Sequence, residues 1–217
     1  MITLRYEKRY PFTAVSHIDV LRVMNRVFSR AGLKMKYSGG FNPHALIYFS
    51  PPVSVGIESL CEYVTVAAET PSEDITEKLR SVSPEGLCWL KAYDVEKNPN
   101  FAATVAWAEY EIRGADVEKL TEKALKEASA SGYIISYTEK EKEVLKDTGG
   151  AVKSLGLEKG VLKAVIACGN KNLRADRFGI GLMKNNGFGY GDLTFLKMRM
   201  FDENMLSDEK MLEKFIR

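Results

Sequence analysis

Apolar and polar residues alternate through Ile2-Thr3-Leu4-Arg5-Tyr6, which predicts a half-buried strand. Ser16-His17-Ile18-Asp19 follows, with Ser16 placed to cap a helix and Asp19 where a capping box takes Glu or Gln. Ile18, Leu21, Met24, Val27, Phe28 and Ala31 then recur at helical spacing, and Gly32 is a natural stop. Residues 45–50 and 62–68 read as strands, joined by a Pro- and Gly-containing connection. Ser72 stands where it would cap a second helix, from Glu73 to about Val82, and residues 87–95 alternate as a strand. The order β-α-β-β-α-β is the ferredoxin-like pattern.

The same order recurs after a polar boundary at residues 96–100. Residues 104–113 predict a strand, 116–130 a helix, 133–138 a second strand and 161–167 a third. A charged, Gly-containing connection over 139–159 separates the last two. A helix over 176–184 is weakened by Gly179 and Gly181. A fourth strand covers 193–201, and Ser207 caps a short tail helix carrying Met211, Leu212 and Phe215 on one side. The expected fold is α+β: two tandem ferredoxin-like halves, residues 1–97 and 98–217, with a short C-terminal helix.

Composition narrows the class without naming it. Of the 217 residues 45% are hydrophobic and 28% charged, which excludes disorder, collagen-like repeats and a disulfide scaffold. No stretch reaches the ~18 apolar residues of a spanning helix. The first ten residues hold three Lys/Arg and no apolar run, so the expectation is a cytoplasmic protein with no membrane partner. Three cysteines, Cys61, Cys88 and Cys168, form no CxxC and read as packing residues of a reducing compartment.

Net charge is only +2, but it is unevenly spread. Residues 1–60 hold eight basic against three acidic side chains, so the remainder of the chain is mildly acidic. Arg22, Arg26 and Arg30 recur every four residues on one helix face, followed by Lys34 and Lys36, a pattern able to neutralise phosphates. Next comes Tyr37-Ser38-Gly39-Gly40-Phe41-Asn42-Pro43-His44. Two glycines there free the backbone to donate to an anion, and Tyr37, Phe41 and His44 offer rings for stacking. His17 and His44, the two histidines of the chain, are the candidate bases; His17 at a helix N-terminus would stay neutral. A second glycine-rich stretch spans residues 178–191, with Lys184, Asn185 and Asn186 among its glycines. It resembles the loop near the C-terminus of the CRISPR repeat-processing endoribonucleases, which are also tandem ferredoxin-like proteins.

Three segments of the N-terminal half carry a broader resemblance: Ser16-His17-Ile18-Asp19, Tyr37 to Pro43, and Pro51-Pro52-Val53-Ser54-Val55-Gly56-Ile57-Glu58-Ser59. In that order they resemble the bacterial radical SAM-linked proteins of unknown function. Gly169-Asn170-Lys171-Asn172-Leu173-Arg174 resembles a further segment of that family, with Ala175 where the family has proline. The stretch His44-Ala45-Leu46 departs from the family's usual proline and basic residue. The resemblance adds Glu58, Asn172 and Arg174 to the candidate site. It implies a protein encoded beside, or fused to, a radical SAM enzyme. Lacking CxxxCxxC, this chain does not offer the usual ligands of that chemistry. The iron–sulfur cluster and S-adenosylmethionine are therefore expected only in the partner.

The expected function is that of a non-catalytic accessory or substrate-binding protein working with a radical SAM enzyme and holding RNA or another anionic substrate. A metal-independent endoribonuclease using His17 or His44, and a pure interaction module of the radical SAM partner, are the alternatives.

Overall fold

The computed structural model describes residues 1–69 and 74–217, so the expected cap at Ser72 lies outside the described residues. Ile2, Leu4 and Tyr6 are buried on β1 (Ile2–Lys8), as their alternation requires. In α1 (His17–Arg30) the Ser16 hydroxyl accepts from the Asp19 N–H and donates to its carboxylate. Gly32, at φ +75°, then ends the helix turn. The buried stripe is Val20, Met24, Val27 and Phe28. Ile18 and Leu21, expected inside, are 65% and 38% exposed, because a stripe centred on Val20 and Met24 turns both outward.

The chain continues through β2 (Ile47–Phe49), β3 (Glu58–Val66), α2 (Ile75–Val82) and β4 (Leu87–Asp94). Its strands lie in the order β4-β1-β3-β2 with every neighbour antiparallel. That is the split βαβ arrangement expected of a ferredoxin-like half. Ile2, Leu4, Val64 and Trp89 pack with Met24, Phe28 and Leu79 in one core.

A helical turn, α3 (Phe101–Thr104), occupies the start of the segment expected as strand, and β5 begins only at Trp107 (Trp107–Arg113). The expected helix over 116–130 is a 3-10 turn (Val117–Lys119) followed by α4 (Glu122–Ala128). Thr121 breaks it by capping: its side chain accepts from the Ala124 N–H at 3.2 Å. Next come β6 (Ile134–Glu139) and β7 (Lys142–Asp147), a two-stranded sheet of their own. The chain closes with β8 (Val152–Glu158), β9 (Val161–Ala167), α5 (Ala175–Asn185), β10 (Thr194–Phe201) and α6 (Asp208–Glu213).

The order β10-β5-β9-β8, again antiparallel throughout, repeats that of the first half. The second strand position is held by β8, and the segment expected there, residues 133–138, is one arm of the inserted hairpin. Lys140 and Glu141 take φ +48° and +66° at its turn, a conformation usually advertised by Asn-Gly. With charged residues in that role, the turn looks like a solvated connection.

Leu196 and Lys197 of β10 pair in parallel with Glu58 and Ser59 of β3, merging the halves into one eight-stranded sheet. Cys61 and Tyr63 belong to the larger core, which runs on through Phe101, Ile112 and Phe178. Among the described residues no helix is long and apolar enough to cross a membrane.

Candidate functional site

The basic face of α1 is divided. Arg22 donates to Asp19 at 2.9 Å, and the Ser16 hydroxyl, with Arg22, holds the Asp19 carboxyl below its ordinary range. Ser16 therefore caps the helix, and the Asp19 carboxylate is held between the Ser16 hydroxyl and Arg22. Arg26 and Arg30 are exposed, make no ion pair among the described residues, and border a groove of about 300 Å³ with Val23, Val82 and Pro84. Lys36 is exposed as well, where the chain leaves the helix for the loop.

That loop is closed at its neck. Tyr37 bridges Ala45, the Ser38 N–H donates to the His44 carbonyl at 2.9 Å, and the His44 N–H donates to the Ser38 hydroxyl at 3.1 Å. The same hydroxyl lies 2.9 Å from His44 Nδ1, so His44 is engaged as a clasp. Beyond the clasp Gly39, Gly40, Phe41, Asn42 and Pro43 are all exposed. Gly40, at φ +105°, supplies a backbone conformation few side chains allow. Phe41 is 105% exposed and Tyr37 58%, leaving two rings open to solvent beside a cationic approach.

His17 goes elsewhere. It stands edge-on to Phe49, ring centroids 5.1 Å apart at 82°, on a cleft of about 360 Å³ between the two halves. Pro51, Pro52, Ala102, Cys168 and Asn172 supply other walls. The structure thus brings His17 and Asn172 to one place. Burial lowers the His17 imidazolium below its ordinary value; Glu62 opposes that shift and Lys8 adds to it. Lys8 is itself lowered by burial, against Glu62, while its ammonium donates to the Val15 carbonyl at 2.9 Å.

Behind the cleft lies a group the sequence did not announce. Lys197, fully buried, donates to Glu62 at 2.9 Å and to the carbonyl of Pro51, a cleft wall, at 3.0 Å. The Ser59 hydroxyl donates to the same Glu62 oxygen at 2.7 Å. Burial raises the Cys61 and Cys168 thiols, with Lys197 only partly opposing it, so neither is an activated nucleophile. Cys88, expected to pack, is exposed on β4. The available signal for Lys197 was its place in Phe195-Leu196-Lys197-Met198, a cation enclosed by apolar neighbours.

Other expected residues are used structurally. Glu58 accepts from the Arg9 guanidinium at 3.2 Å and the Tyr10 N–H at 3.1 Å. Arg174 pairs with Asp176 at the start of α5. The glycine-rich stretch is divided: Gly179 and Gly181 are buried, whereas Gly187, Gly189 and Gly191 are exposed. Gly179 and Gly181 lie in α5 against Phe195 and Ile135, and the Gly189 N–H donates to Asp116 at 2.9 Å. Lys184 donates to Ser136 and Asn185 to the Ile134 carbonyl.

Among the described residues no three His, Cys, Asp or Glu side chains stand together as a metal site. The fold and these surfaces define an α+β protein of two similarly ordered halves, with a cationic, aromatic face on one and a neutral cleft between them. The chain belongs to a bacterial family described as "uncharacterized protein conserved in bacteria (DUF2344)", whose model matches residues 1–175. No curated protein matches it.

Proposed function

We propose that the protein is a non-catalytic RNA-binding module that presents its RNA to a radical SAM enzyme, with α1 and the 37–45 loop as the contact surface. The observation that carries the binding part is Phe41. A phenyl ring wholly in water at the tip of a glycine loop gains nothing from its own fold, and a stacked base would cover it. Arg26, Arg30 and Lys36 lead to that loop and supply the charge that phosphates need. The partner part is supported by the sequence resemblance; the iron–sulfur cluster and S-adenosylmethionine would belong to that enzyme, and the pair would work in the cytoplasm.

Filter retention of a single-stranded RNA at low salt tests the reading. Arg26→Glu with Arg30→Glu should weaken retention by at least about tenfold and flatten its salt dependence by roughly two phosphate contacts. Phe41→Ala should cost about 1–3 kcal/mol of affinity at any salt concentration. Retention equal to wild type in both variants would overturn the reading.

A further inference from the structure

The cleft between the halves differs in chemistry from the basic face. Its walls include no Lys, Arg, Asp or Glu side chain. Phe49, Pro51, Pro52 and Ala102 give it flat apolar surfaces, and His17, exposed but edge-on to Phe49, adds a further ring. Asn172 is exposed there, and its side-chain amide makes no hydrogen bond within the described chain. An amide offers a donor and an acceptor side by side, the pair that the edge of a heterocycle presents in return. A volume of about 360 Å³ lies at the lower end of the range for small-molecule sites. A phosphate would find no cation in these walls, whereas a neutral planar ring with a polar edge would find both surfaces and partners.

The cleft also does not stand alone. It shares Phe49 and Ala102 with a cavity of about 180 Å³ that reaches Tyr48. It shares Ala102, Cys168 and Gly169 with a cavity of about 660 Å³ that carries Trp107, Lys153 and Lys171. The three cavities therefore adjoin through shared walls from Tyr48, by way of the cleft, to Trp107, which we read as one groove. The Lys153 ammonium sits 5.3 Å from the Trp107 ring centroid. Asp202 and Glu203 also line that end, which confines phosphates to the lysine side.

We infer that the cleft receives one unstacked nucleobase of the bound strand, resting against Phe49, His17 and the two prolines and read at its edge by Asn172. Its neighbours lie along the groove towards Tyr48 and Trp107. This assignment deepens the RNA-binding reading and rests on it for the identity of the polymer. It also makes a claim about the cleft that stands apart from the α1 face.

The test uses the full chain with short RNAs carrying one 2-aminopurine, whose fluorescence rises when the base leaves its stack, and with 2-aminopurine riboside alone. Ala102→Trp is the blocking variant, since Ala102 is exposed and touches all three cavities. The oligonucleotide should brighten several-fold on wild type and fail to brighten on Ala102→Trp, while filter retention stays within a few-fold. The riboside at millimolar concentration should shift the His17 ring resonances of wild type only, and Asn172→Ala should weaken both responses. RNA retained with no brightening, or brightening equal in Ala102→Trp, overturns the cleft assignment and leaves the α1 reading intact. If no RNA is retained but the riboside still shifts His17, the α1 reading fails and the base pocket stands. Silence of the riboside and the oligonucleotide together overturns the pocket.

Discussion

Lys197 Nζ lies 2.9 Å from Glu62 Oε1, with their side chains 0% and 3% exposed. The two residues sit on β10 and β3, the strands that join the halves, and the Lys197 bond to the Pro51 carbonyl fastens the cleft wall to the same point. Burial alone would lower the lysine; Glu62, helped by Cys61 and Tyr110, outweighs it and holds Lys197 well above its ordinary value. The pair gives the seam directionality that apolar packing lacks.

Breaking one side of that pair should hurt more than removing both. Lys197→Met leaves the Glu62 carboxylate buried without its cation and should destabilise the fold by about 3–5 kcal/mol in urea denaturation. Adding Glu62→Gln should recover a large part of that loss, because an amide needs no counter-charge. The lysine's raised value places its contribution below its unfolded value of 10.5, to be lost only at pH above that. The lysine's own contribution in the wild type should therefore stay constant across neutral pH. A double variant as unstable as Lys197→Met would sink the argument.

The first half was legible because its signals are local. The Ser16 cap, the Gly32 stop and the alternation of Ile2, Leu4 and Tyr6 each act within a few residues, and the structure carries all three. What escaped depended on distant partners. The β6–β7 turn uses Lys140-Glu141, which carries no turn signature, so the hairpin and the true position of β8 were hidden. Gly179 and Gly181 looked like helix breakers or a phosphate cradle until Phe195 and Ile135 were seen against them. The same holds for function. The exposed loop was readable from composition, whereas the cleft needs His17 and Asn172 brought together from opposite halves.

Asp208 tests how the C-terminal helix is held. It is buried, accepts from the Tyr63 hydroxyl at 2.6 Å and from the Met200 N–H at 3.2 Å, and so ties α6 to β3 and β10. Asp208→Ala strands two buried donors and should cost about 2–4 kcal/mol. Hydrogen exchange offers the local readout: the Met200 amide should lose protection beyond the global change. Met200 protection falling only in step with global stability would show that the contact is incidental.

Glycine 181 is needed for closeness rather than for backbone freedom. A Cβ built there falls 2.5 Å from the Ile135 Cβ, where α5 presses on β6. Gly181→Ala should destabilise by about 1–3 kcal/mol through overpacking, despite alanine's better helix propensity. Ile135→Gly in the same chain should give a favourable coupling, since it removes the Cβ that the added methyl meets at 2.5 Å. At Gly39 a Cβ meets nothing within 4 Å, and Gly39→Ala should stay within about 0.5 kcal/mol of wild type in thermal melts. Additive losses at 181 and 135 would refute the packing explanation.

His17 gives the cleft a pH signature whose sign is fixed by its surroundings. Burial, with Lys8 behind it, holds the imidazolium below its ordinary 6.5, Glu62 opposing only in part. A lowered value means that the unfolded chain takes up the proton more readily, so the contribution is present above 6.5 and is lost as pH falls through the folded value. His17→Gln removes that titration. Wild type should therefore lose more melting temperature than the variant between about pH 7.5 and pH 5, and the two curves should run parallel above that window. Asp19, lowered from 3.8 by Ser16 and Arg22, titrates further down and leaves the window clear. Parallel curves throughout, or a variant more sensitive to acid than wild type, would mean that His17 is not held neutral at its place beside Phe49.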